Sequence, residues 1–163
     1  MKRLLTALLL LSYAWPTVYA ADEATPMVVV SMEGATHELG TLDWKVSSVT
    51  QLEDEIRFYL TQEGNPLSLN FNLSGTDILE QGSAVYQLPE ANHGTAAIDL
   101  NFFNQDREGK RMKRRILFNE GTITIEELTP RSLRMTFKGA GNPLMDTEKF
   151  PIEGSVDVRF PDS

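Results

Sequence analysis

The chain has no cysteine among its 163 residues. No disulfide can staple it, no thiolate is available for redox or metal chemistry, and a lipid has no cysteine to be attached to. Histidine is almost as scarce, with His37 and His93 the only two, so the His pairs and mixed His/Cys sets of zinc and redox-metal centres are missing. Long apolar runs are lacking as well. The apolar stretch at residues 4–14 falls short of the roughly 20 residues that cross a bilayer as a helix. Neither a Gly-x-Ser-x-Gly elbow, a phosphate-cradling loop nor a dinucleotide fingerprint occurs. The glycine-rich residues 139–143 follow a strand pattern and enter a proline-containing connection without a Lys-Ser/Thr ending. No cofactor and no metal is expected.

What the N-terminus does carry is an export pattern. Lys2 and Arg3 precede the apolar stretch, Pro16 then breaks any helix, and Val18 and Ala20 place compact side chains where a signal peptidase needs them. A cut one residue later would put bulky Tyr19 in a small pocket. The expected organisation is a cleavable signal peptide over residues 1–20 and a single domain over residues 21–163. The location is periplasmic or secreted, with no stable membrane anchor.

Removal of the signal leaves 143 residues, enough for one core without staples. It also leaves 13 basic residues against 23 acidic ones, a formal charge of −10. Such a balance favours solubility and repels nucleic acid, so no nucleic-acid partner is expected. Six of the 13 basic residues fall between Arg107 and Arg115. This run reads first as a solvated hairpin end, with Arg111 and Arg114 as candidate contacts to an anionic partner.

Apolar residues recur at every second position, the spacing of a strand with one buried face. Leu67, Leu69, Phe71 and Leu73 alternate with Ser68, Asn70 and Asn72; Ile56, Phe58 and Leu60 repeat the pattern, as do Ile98, Leu100 and Phe102. The later chain continues it through Ile116 and Phe118, Ile123 and Ile125, Leu133, Met135 and Phe137, then Val156, Val158 and Phe160. Turn chemistry at Gly64, Asn65 and Pro66 and at residues 128–131 separates these segments. Asn119, Glu120 and Gly121 read as a tight hairpin, and residues 139–149 as the longest late connection. Residues 27–32 form a strand candidate, residues 36–50 a strand pair or short helix, and residues 76–81 a helical turn. The expected fold is all-β: a single antiparallel β-sandwich or closed β-barrel of about eight to ten strands.

Candidate chemistry is sparse. Glu90 and His93 fall in a polar loop, and His37 stands beside Glu38. Gly82 and Ser83, like Gly154 and Ser155, have the character of strand starts rather than of an activated nucleophile. Asp99 with Glu126 is a conceivable glycosidase pair. Asp99, Asn101 and Asn104, or residues 53–55, are loose oxygen-rich sets short of a calcium loop. Aromatics offer more: Trp44, Tyr59, Tyr86 and Phe103 are candidate ligand-binding rings, and Phe102 and Phe103 must face opposite sides of one strand. The leading expectation is a non-enzymatic binding module for a protein or glycan partner in the cell envelope. A lipocalin-like carrier of an apolar small molecule and a small hydrolase acting on an envelope polymer are the alternatives.

Overall fold

The computed structural model describes residues 27–53, 55–74, 80–89, 97–105 and 112–161; at 97–101, 103–105, 112 and 113 it describes the backbone alone. Ten strands follow in chain order: β1 (Val28–Met32), β2 (Ala35–Leu39), β3 (Ser48–Gln51), β4 (Glu55–Thr61), β5 (Leu67–Ser74), β6 (Ala84–Leu88), β7 (Ala97–Gln105), β8 (Met112–Thr129), β9 (Ser132–Pro143) and β10 (Phe150–Arg159). Every pairing is antiparallel, as short connections require. The apolar rows expected of β4 and β5 are buried: Ile56, Phe58 and Leu60 are buried, and Leu67, Leu69, Phe71 and Leu73 have no exposed surface; Ser68 on the other face of β5 is buried as well. In β1, Val28, Val30 and Met32 are buried while Val29 and Ser31 are half-buried, so this strand is covered more heavily on one face.

The hydrogen-bonded order is β2-β1-β10-β9-β8-β7-β5-β4-β3, with β6 added to β8. This corrects the expected architecture. The path is not closed into a barrel, because it ends at β2 and β3. Nor is it a sandwich of two separate sheets, because the two antiparallel portions share β8 and β9. The cause lies in β8, an 18-residue strand whose first half pairs with β7 and whose second half pairs with β6.

Asn119, Glu120 and Gly121 are therefore not a hairpin. The strand runs through them with a register shift between Phe118 and Glu120, and a second between Ile125 and Glu127. Each extra residue bends the strand and raises its twist. Beside the first shift, Gly121 faces Gly139, and both positions lie within strands rather than in a turn. Residues 139–143 are likewise the end of β9 rather than part of a loop, and the connection shortens to residues 144–149. Gly154 and Ser155 lie in the middle of β10, not at its start. The hairpin turn at Pro130 and Arg131 is as expected. Residues 36–50 hold most of β2 and the start of β3, joined by a turn-rich link, but the two strands do not pair with each other: β2 lies beside β1 and β3 beside β4, at opposite ends of the ladder. Of the expected helical turn, residues 75–79 lie outside the described residues; Glu80 and Gln81 are helical.

Side chains fill the space between the apolar faces. One contiguous cluster takes in Val28 and Val30 from β1, the inner rows of β4 and β5, Phe102 of β7, Ile116, Ile123 and Ile125 of β8, Leu133 and Met135 of β9, and Val156 of β10. Fully burying each of the larger members is worth roughly 1.5–3 kcal/mol. Tyr86 of β6 joins this cluster with 8% of its surface exposed, and burial pushes its phenol above the ordinary 10.0. The sign follows. The unfolded chain loses this proton at lower pH than the folded one, so the stability is complete below about pH 10 and falls as pH rises through the folded value. Thermal melts between pH 8 and 11.5 are expected to decline more steeply for the native chain than for Tyr86→Phe. Equal slopes would remove Tyr86 from the alkaline transition.

Candidate functional site

Where the open ladder ends at β3, a groove of about 470 Å³ runs along the surface. One wall is the link before β3, β3 itself and the inner face of β4, with Trp44, Ser47, Ser48, Val49, Gln51, Ile56 and Phe58. The facing wall is the β8–β9 turn, with Leu128, Thr129 and Pro130, together with Phe160 and Pro161 after β10.

Short-range bonds hold the first wall in place. Asp43 donates its backbone N–H to the Thr61 carbonyl at 2.9 Å. The Ser47 hydroxyl donates to the same carbonyl at 3.0 Å and accepts the Thr61 N–H at 3.0 Å. Ser47 is buried for that reason, and the turn it anchors carries the Trp44 ring. Across the groove, the Phe160 N–H donates to Arg131 O at 2.8 Å. Three rings meet between the walls: Phe160 stands 6.4 Å from Trp44 at a near-perpendicular angle and 5.9 Å from Phe58. Trp44 and Phe160 are only partly buried against the core. The result is an apolar floor rimmed by hydroxyl and amide groups, the composition of a recognition groove.

The other candidate residues lie elsewhere. Tyr59 is half-buried on the opposite face of β4, its hydroxyl donating to Ser68 at 3.4 Å. Tyr86 belongs to the core, which takes it away from an exposed ring face. Phe103 occupies the β7 position between Ser68 of β5 and Arg115 of β8. Arg111 lies outside the described residues. Arg114 makes a two-pronged pair with Glu33 in the β1–β2 turn, both oxygens at 3.0 Å. At least one member of the basic run therefore ties two elements of the same chain together. Trp44 is thus the candidate that lines the groove, and Phe160, assigned to the core by its spacing, joins it. Leu128, Thr129 and Pro130 were legible only as a turn, because nothing local in a turn shows what it faces.

Asp99 and Glu126 stand at well-separated positions along the β7–β8 ladder. Asp99 is next to Leu100, which pairs with Phe118, and Glu126 lies eight residues farther along β8. At about 3.3 Å of strand per residue that is roughly 20 Å along the chain, so the ladder does not set the two positions side by side as a glycosidase pair needs. Glu126 instead accepts from Arg134 Nε at 3.0 Å. Glu55 accepts from Arg57, raising that guanidinium further, and Lys149 draws the Glu120 carboxyl below its ordinary range through a 2.7 Å bond. His37 sits half-buried on β2. Glu90, His93 and Asp54 lie outside the described residues. Among the described residues no three His, Cys, Asp or Glu side chains are grouped to hold a metal ion, and no helix is long and apolar enough to cross a membrane. No family model, no curated protein and no solved structure matches this chain.

Proposed function

We propose that the chain is exported and acts as a non-enzymatic binding domain of the cell envelope, holding a protein or glycan partner in the groove beside Trp44. The observation that carries this reading is the groove's composition at the open end of the sheet: partly exposed Trp44 and Phe160 over an apolar floor, rimmed by Ser48, Gln51 and Thr129. Aromatic anchors beside polar rims are where binding energy concentrates in recognition surfaces.

Export supplies the first test. Protein isolated from the envelope should begin at Ala21, as read by N-terminal sequencing; an intact Met1 start would remove the export step from the proposal. The same cut makes Trp44 the only tryptophan of the exported protein, since Trp15 leaves with the signal. Its fluorescence is then a direct reporter of the groove. A panel of envelope glycans and of short peptides should contain members that shift Trp44 emission saturably, with Trp44→Ala weakening their binding at least tenfold by calorimetry. Binding that ignores this substitution would place the partner elsewhere on the molecule.

A further inference from the structure

We infer that the groove takes its partner as an added β-strand: an extended peptide segment of another protein pairs with the free edge of β3 and lays alternate apolar side chains into the groove. This rests on the binding reading above and names the partner's class.

The two ends of the ladder differ. At β2, the strand carries His37 and Glu38, and the Glu38 carbonyl already accepts a bond from Asn65 Nδ2 at 2.8 Å. Gly40, just beyond, donates to the Gln62 side chain at 2.8 Å. Charge and side-chain bonds of this kind blunt an edge. In contrast, β3 reads Ser48-Val49-Thr50-Gln51, without charge or proline, and with a β-branched centre. Large apolar side chains are exposed just before and just after it, Val46 at 55% and Leu52 at 44%.

The ladder phase identifies which backbone groups are free. Leu52 donates its N–H to Glu55 O at 2.7 Å, which makes those two residues a hydrogen-bonded pair. Alternation in an antiparallel ladder then points the groups of Ser48 and Thr50 toward β4, and the N–H and C=O of Val49 and Gln51 away from it. Among the described residues nothing pairs with those outward groups. Val49 and Gln51 also stand opposite Phe58 and Ile56, so their side chains share the face that opens into the groove. A peptide strand bonded to this edge would present every second side chain to the partly buried rings of Trp44 and Phe160. A glycan would use the rings and rim but leave the row of amide groups unpaired, which is why the peptide is favoured.

The probe is a synthetic seven-residue peptide with the sequence of β4, Glu-Ile-Arg-Phe-Tyr-Leu-Thr, which is already the natural antiparallel partner of β3 on its other edge. Controls are a scrambled peptide and a version N-methylated at alternate residues, which keeps the side chains but removes the ladder bonds. Titration into the exported protein should give saturable shifts of Trp44 emission, with at least tenfold weaker binding for both controls. Gln51→Pro should abolish binding, because it deletes an outward N–H at an edge position where proline is tolerated. Gln51→Ala loses the same rim side chain but keeps that N–H, so it should still bind the peptide at least tenfold more tightly than Gln51→Pro, and melting curves of both variants establish that they fold. Equal binding of the methylated peptide, or full binding by a folded Gln51→Pro, would overturn strand addition while leaving a recognition groove. So would silence toward the peptide in a protein that binds glycans through Trp44. Silence toward every peptide and glycan would overturn both readings.

Discussion

Gly139→Val is expected to yield a chain that does not reach its native fold: little soluble protein, and no cooperative melt in what is recovered. The position lies where β8 and β9 cross the bend. Gly139 pairs with Gly121, and any Cβ on Gly139 would be driven into the Glu120 carbonyl oxygen and to 2.7 Å from the Gly121 Cα. Those are backbone atoms, which cannot rotate away as a side-chain tip can. Relief requires the two strands to separate at the bend, where β8 turns from pairing with β7 to pairing with β6. Gly121 itself has φ of 128°, a conformation that suits glycine alone. The expected cost exceeds about 4 kcal/mol, against a typical total of only 5–15 kcal/mol. Gly40→Ala is the control. It has no left-handed φ, and nothing lies within 4 Å of its new methyl group, so its melting temperature should stay close to native. A Gly139→Val protein with a native melt would show that the sheet does not need this close approach.

The bend is also where residue order and structure part company. Within β5 and β4 the apolar period of two is unbroken, so residue order alone shows which row faces the core; the burial of Ser68 on the other face is a tertiary effect that the period does not carry. In β8 the buried residues are Ile116 and Phe118, then Ile123 and Ile125, then Leu128. The intervals of five and three shift the alternation by one residue each time. A shift without a chain reversal is the mark of a bulge, and the two register shifts fall in those intervals. Asn119, Glu120 and Gly121 carry the residue types of a tight turn, so local chemistry predicts a hairpin where the structure has one long strand. On β9, Gly139 and Gly141 continue the inward row of Leu133, Met135 and Phe137, but as glycines they contribute no apolar signal. They looked like a loop because the packed bend leaves their Cβ atoms no room. The groove was half legible for a related reason. Trp44 stood out as a ring in an irregular segment, whereas Phe160 and Pro130 reach it only through tertiary folding, which local periodicity does not encode.

Phe58→Ala is expected to cost about 3–5 kcal/mol, the range for emptying a buried aromatic site, and to lower the melting temperature by roughly 10 °C or more. Phe58 has no exposed surface. Its ring stacks on Phe71 of β5, its register partner, at 4.2 Å and nearly parallel, and tilts against Phe160 at 5.9 Å. Truncation removes both contacts and leaves a void that a close-packed sheet cannot collapse to fill. Phe71→Ala is the informative comparison, because Phe71 is equally buried and loses the same stacked pair, yet it does not line the groove. Equilibrium unfolding in urea should therefore give similar losses for the two variants. Titration with the β4 peptide, done well below both melting temperatures, should separate them. Phe58→Ala removes the ring that supports Phe160 beneath the groove and should weaken binding at least tenfold, whereas Phe71→Ala should bind within a few fold of native. If both variants lost binding in proportion to stability, the groove would depend on the core as a whole; the split expected here assigns the floor to Phe58 itself.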